Sequence, residues 1–451
     1  MRGRITPPPR VGFLAFGHET FGDDVIQPRI QALADLQDLN VEVIEPINRV
    51  ILNAKDSLIA SKKLRSADVD CVLMYFCTWA LQDTVIAAGK ELFDYPTLLW
   101  TKPGTILPLR LNVAAITSGS ANLLRLNKKF KHIIGDFKNV RNQIFAFAQA
   151  AKLVKMLERA KIVTVGPYMT GMIDMTAIGE SELRRIGPMQ IHLSFTDLID
   201  RIKKFDKEEV LELAHAKINK LGKDFEKISL KENMLKAVKL YFALKDIIKS
   251  YEVDAICVKC WPELQGPEID TTACLAFSML ADEGIPCACE NDVQAGITML
   301  IMYWLTGQPP FVGDLMSIDT TKNLLYLFHC GAASTELAPD PREVEIASNP
   351  YFGPTGIILK FPLKQGEVTI AKLTRPIDGK FKMLISKGNV VESPPVDGNI
   401  ACIKFDKDVS SFLDLCISKG IEHHIVLGYG NVTNALENLC DIHDVEKTLY
   451  Y

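Results

Sequence analysis

The sequence predicts an α/β protein: two Rossmann-like parallel-sheet domains, then a mixed C-terminal domain that contains a small antiparallel β-barrel or sandwich. Three observations predict it. Short apolar runs alternate with helical periodicity through the first third of the chain, the pattern of parallel βαβ units covered by helices. The alternation restarts at Lys161-Ile-Val-Thr-Val165. From about Gly353 it gives way to short strands separated by Gly, Pro and Asp-Gly turns. A length of 451 residues, at about 150 residues per domain, agrees with three domains.

The first domain, residues 1–158, opens with the strand Val11–Phe16, which ends in Gly17. Ile26, Ile30, Leu33 and Leu36 then mark a helix face, and Val41–Ile44 a second strand. Further strands are expected at Cys71–Phe76 and Thr97–Trp100, and a helix from about Asn142 to Arg159 closes the domain. The second domain, residues 159–282, contains the strand Lys161–Val165, a charged helical region Leu198–Leu240 and the strand Ala255–Lys259. Its Lys- and Glu-dense part, Lys203–Lys236, reads as a solvated helix face rather than a partner surface. The third domain, residues 283–451, holds the short strands Gly356–Phe361, Gly366–Leu373 and Lys380–Ile385, and a final helix near Val432–Leu439.

Composition excludes several classes. Hydrophobic residues at 48% and charged residues at 24% are a globular balance, and a net charge of −4 offers no excess to hold nucleic acid. The N-terminus lacks the apolar stretch of a signal peptide. The longest largely apolar run, Ala295–Leu305, is well short of the roughly 20 residues that span a bilayer. Eleven cysteines, an odd number set in apolar segments, imply reduced thiols and a cytoplasmic home. Cys257-Val-Lys-Cys260 with Cys287-Ala-Cys289 imitates a zinc site, but the spacing of the second pair favours structural thiols.

The chemistry is expected where strands end. Ala255–Lys259 runs into Cys260-Trp-Pro-Glu263, and Ile285–Cys289 into Glu290-Asn-Asp292. Each strand thus delivers carboxylates past its C-terminal end, where open α/β sheets place their ligand crevice. Converging carboxylates bind a divalent cation, do acid–base work, or cap helices. Histidine is scarce, eight in all, and two placements stand out: His329 after the apolar run Leu324–Phe328, and His423-His424 before Ile425-Val-Leu427.

Lys259-Cys-Trp-Pro-Glu-Leu264, Cys289-Glu-Asn-Asp-Val-Gln-Ala-Gly-Ile-Thr-Met299 and Glu422-His-His-Ile-Val-Leu-Gly-Tyr-Gly430 resemble three blocks of the L-fucose isomerase and L-arabinose isomerase superfamily. Order and spacing are similar too, with 29 residues from Glu263 to Asp292 and 132 from Asp292 to His424. The resemblance implies a C-terminal β-barrel starting near Gly366 and an aldose–ketose isomerase working through a cis-enediol. It implies a divalent metal, usually Mn²⁺ with Mg²⁺ or Co²⁺ as alternatives, held by Glu263, Asp292 and His424. Glu263 and Asp292 would shuttle the proton between C1 and C2. Glu268 is an alternative match for the first carboxylate. His329 resembles a second histidine of the arabinose isomerases. With His18, Trp79, Lys259 and Trp261 it makes the expected set of substrate contacts. The resemblance also implies a homo-oligomer in which the first domain of a neighbouring subunit closes the pocket. The partner is a free sugar, with no nucleic acid and no membrane. A sulfonated or otherwise acidic sugar is compatible with Lys259, Lys102 and Arg29 near the pocket loops. The alternatives are a metal-dependent epimerase or aldolase, and a non-catalytic sugar-binding module. The Glu263/Asp292/His424 set speaks against the module, because pure binding needs no metal site.

Overall fold

Every residue from Val11 to Phe16 is apolar or Gly and buried, the mark of a strand covered on both faces. In the computed structural model, which describes residues 5–104, 109–175, 179–377 and 380–451, it forms β1 (Arg10–Phe16). With β2 (Glu42–Ile44), β3 (Cys71–Phe76), β4 (Thr97–Thr101) and β5 (Lys131–Ile134) it makes a parallel sheet of order β2-β1-β3-β4-β5. Strands β3 and β4 are also buried throughout. This sheet belongs to one compact unit, residues 5–156 with 434–442. The helix Phe137–Arg159 begins five residues before the expected Asn142.

A second unit, residues 157–433 with 443–451, holds two sheets. Parallel strands β6 (Lys161–Val165), β7 (Met189–Leu193), β8 (Ala255–Val258) and β9 (Cys287–Ala288) take the order β7-β6-β8-β9. The other sheet is mixed and nine-stranded. It comprises β10 (Phe311–Asp319), β11 (Leu324–His329), β12 (Glu345–Ser348), β13 (Ile357–Pro362), β14 (Gly366–Ile377), β15 (Lys380–Val391), β16 (Asn399–Lys404), β17 (His424–Tyr429) and β18 (Glu446–Tyr450). Its order is β12-β13-β16-β11-β10-β17-β14-β15-β18. A further pairing of β15 with β16 closes six of these strands into a ring. The ring is uneven: β14 and β15 pair along most of their length, whereas β15 and β16 meet only through Asn389–Val391 and Cys402–Lys404.

One hydrophobic cluster joins residues of both sheets, from Val163 and Ile256 to Ile370 and Leu427. The helix Val293–Thr306 packs against strands of both sheets, β8 and β9 in one and β14 and β17 in the other, and is buried at every position from Val293 to Leu305. A helix apolar on all sides has to be a core helix, so the longest apolar run of the sequence is accounted for without a membrane. Gly296 permits its close approach to β8, because a Cβ there would sit 2.7 Å from Cys257 Sγ. Among the described residues no helix is long and apolar enough to cross a membrane. All eleven cysteines are buried and unbridged, as structural thiols should be.

Candidate metal centre

β9 ends after two residues, because Cys289-Glu290-Asn291 turns sharply out of the sheet. Glu290 and Asn291 both take a φ of 58°, in the left-handed region. A non-glycine residue held there costs on the order of 1–3 kcal/mol, an expense that clusters at functional turns. The turn is locked from below: Asp292 Oδ1 accepts the Ala295 N–H at 2.8 Å and so caps the core helix. It is locked from the side by the Asn291 amide, which donates to the Gly166 and Pro167 carbonyls.

The mixed sheet supplies the other groups. His424 begins β17, and in the register of β10 with β17 it sits opposite Asp314. His329 ends β11, and Lys372 lies within β14. The Lys372 ammonium stands 2.7 Å from Asp292 Oδ2, and His424 Nδ1 is 3.0 Å from the same oxygen. All three side chains are no more than 1% exposed. With Nδ1–H donated to a carboxylate, His424 turns the lone pair of Nε2 toward Glu290 Oε2 at 3.6 Å and Asp314 Oδ1 at 3.5 Å. His423 is held likewise, its Nδ1 2.9 Å from Asp174 Oδ2 and its Nε2 3.7 Å from Asp314 Oδ1.

Ligand atoms of Glu290, His423 and His424 therefore lie within 4.8 Å of one another. Glu290 Oε2 and His424 Nε2 are buried with no hydrogen-bond partner. Buried polar atoms left unpaired are costly, and two imidazoles with a carboxylate suit Mn²⁺ and similar cations. Each imidazole also has the carboxylate behind it that metal-binding histidines use to set tautomer and orientation, Asp292 for His424 and Asp174 for His423. The residues present thus fit a divalent cation.

Charge and burial compete throughout. Burial alone would raise the Asp292 carboxyl, but Lys372 and His424 outweigh it and hold it well below the usual range. Burial disfavours a charged His424, while Asp292, Glu290 and Asp314 favour it, and the balance is upward. Burial raises Glu290. It pushes His329 down to about 4. His329 Nδ1 accepts the Cys330 N–H at 3.0 Å, so its neutral ring carries the proton on Nε2, a buried donor with no partner. A depressed histidine stabilises the fold fully above its unfolded value near 6.5, and that contribution is lost as pH falls toward 4. Between pH 7 and pH 4.5 the wild type should lose about 2–3 kcal/mol more stability than His329→Gln. Urea midpoints at both pH values test this, and parallel losses would refute it.

The remaining sequence-predicted residues take other places. Glu263, in a short turn after β8, pairs through Oε1 with the buried Lys259 ammonium and keeps Oε2 enclosed without a partner. It lies outside the Glu290/His423/His424 cluster. Glu268 is exposed. Trp261 stacks on Phe352 with ring centroids 5.4 Å apart. In the other unit, His18 Nδ1 meets Thr20 Oγ1 at 2.8 Å, and the backbone N–H of Trp79 donates to the Arg110 carbonyl at 2.7 Å. Glu290 and His423 stand inside the quoted motifs without an assigned role. No sequence pattern marks Asp174 or Asp314, whereas Lys372 is a visible anomaly, a lone lysine inside the largely apolar run Val368–Leu373.

No family model matches the chain. Curated relatives do. A sulfoquinovose isomerase of Priestia aryabhattai is 25% identical over 449 residues, covering 97% of this chain and 98% of the relative. One from Clostridium sp. (strain MSTE9) is 28% identical over 372 residues, 80% of this chain and 82% of the relative. One from Alkalicoccus urumqiensis is 24% identical over 438 residues, with 95% and 96% covered. A solved ABC transporter solute-binding protein from Burkholderia multivorans aligns at a TM-score of 0.18 and 14% identity, over 65% of this chain and 92% of its own, too weakly to bear on the fold. The chain is an enzyme, similar along nearly its whole length to proteins named sulfoquinovose isomerase.

Proposed function

We propose that this enzyme is a metal-dependent aldose–ketose isomerase that converts a free sulfonated sugar through a cis-enediol. The observation that carries the metal dependence is the convergence of unpartnered, buried Glu290 Oε2 and His424 Nε2 beside His423. The names of the relatives support the reaction and the substrate. Glu290, His423 and His424 would hold the cation, Mn²⁺ first and Mg²⁺ or Co²⁺ next. When bound, it polarises the carbonyl and hydroxyl oxygens of the sugar.

The roles of the expected set shift with the geometry. Asp292 already accepts from Ala295, Lys372 and His424, so it serves by fixing the His424 tautomer. Glu263 carries the proton between C1 and C2: Lys259 steadies one oxygen, and the other is free to accept. His329 donates its Nε2–H to a sugar oxygen. Cytoplasmic location, homo-oligomerisation and closure of the pocket by the first unit of a neighbouring copy belong to this proposal on the strength of the family resemblance.

The test is exchange of the C2 proton of sulfoquinovose and a panel of aldoses in D₂O, followed by NMR with Mn²⁺ and with EDTA. Exchange with ketose formation is expected with Mn²⁺ alone. Exchange without ketose would turn the reading to an epimerase, and turnover that survives EDTA would end the metal role.

A further inference from the structure

A substrate bearing a strong-acid group must meet a cation, since an enclosed anion without one is costly. The cations singled out in the sequence are already neutralised. Arg29 grips Glu45 at 2.5 and 2.6 Å, Lys102 stands 2.6 Å from Asp35, and Lys259 is paired with Glu263. Arg110 is different. Its Nε is buried without a hydrogen-bond partner.

Its position adds to this. In the order β2-β1-β3 successive connections leave β1 and β3 on opposite sides, so the strand order reverses between these two parallel strands, and the crevice past their carboxyl ends is where open α/β sheets take ligands. The loops leaving those ends are tied together, His18 N–H donating to Thr78 Oγ1 at 3.2 Å. Arg110 is fastened to the second loop through its carbonyl, which accepts the backbone N–H of Trp79. Burial raises the Cys77 thiol there, and the charges of Arg29 and Arg110 oppose the rise, so both guanidinium groups act on this strand end.

We propose that Arg110 recognises the sulfonate of the sugar at the carboxyl-end crevice of the first parallel sheet. The inference rests on the isomerase reading above and deepens it. A guanidinium presents parallel N–H donors to two oxyanion oxygens at once, which an ammonium does not.

The experiment compares wild type, Arg110→Met and Arg110→Lys on sulfoquinovose and on quinovose, the same sugar without the sulfonate. The ratio of kcat/KM for sulfoquinovose over quinovose should fall about thirtyfold in Arg110→Met, with a smaller fall in Arg110→Lys. An unchanged ratio overturns the proposal, whether activity is retained or lost equally on both sugars. Calorimetric titration of sulfoquinovose separates this inference from the isomerase reading. If wild type binds the sugar without turnover and Arg110→Met does not bind it, the anion site stands and the isomerase reading falls. Equal binding by both proteins, or none by wild type, overturns the site.

Discussion

Replacing His424 by alanine should abolish metal binding and metal-dependent turnover together. Its Nε2 is one of the two buried, unpartnered atoms of the centre, and it is the ring nitrogen that faces Glu290 and Asp314. Loss of an outer-shell partner of a metal site typically costs roughly 10–100-fold in affinity or activity, and loss of a ligand should exceed that. Metal content after dialysis against Mn²⁺, read by elemental analysis, separates loss of the site from loss of a proton carrier. The fold should survive, since Lys372 still neutralises Asp292. A variant that keeps both its metal and its activity would remove His424 from the centre.

Lys372→Met should be the most damaging single change to stability. The substitution is close in volume, so the effect isolates the charge. It leaves the Asp292 carboxylate, 1% exposed, with His424 as its remaining ionisable partner. Removing one member of a buried ion pair costs about 3–5 kcal/mol, mostly because the other charge is stranded. Denaturant unfolding at pH 7 reads this directly. Wild-type Asp292 has a depressed carboxyl, so its contribution is present above the unfolded value near 3.9 and is lost as pH falls through the folded one. The deficit of Lys372→Met should therefore be largest near neutrality and shrink in acid. Lys372→Met combined with Asp292→Asn should recover part of the loss, because the stranded charge is gone. Additive losses would show that Lys372 acts by packing alone.

Elements buried on both faces were legible from residue order. Val11–Phe16 and Cys71–Phe76 are continuous apolar runs, Lys161–Val165 is apolar but for Lys161 and Thr164, and all three are strands within a residue of their expected ends. Edge strands were not. Lys131–Ile134 and Met189–Leu193 each carry polar residues on a half-exposed face and look like loop until a sheet edge accepts them. β15 extends to Val391 through Lys387-Gly388-Asn389, which reads as a turn, because ladders to β14 and β16 pair its backbone there.

The same division runs through the site. Residue order by itself singled out the carboxylate turn Glu290-Asn-Asp292 and the histidine pair that gather, together with a second carboxylate turn at Glu263 that lies outside their cluster. Local propensity and periodicity act over a few residues, and that is enough to place them. Their partners were decided only by tertiary structure. Lys372, 80 residues away in sequence, claims Asp292, and Asp292 in turn fixes the proton of His424. Glu290 rather than Asp292 faces the ligand cluster because two consecutive left-handed residues turn the chain there. Hydrogen bonds and charges between distant strands choose among nearby carboxylates, and they exist only once the sheets have packed around the core helix.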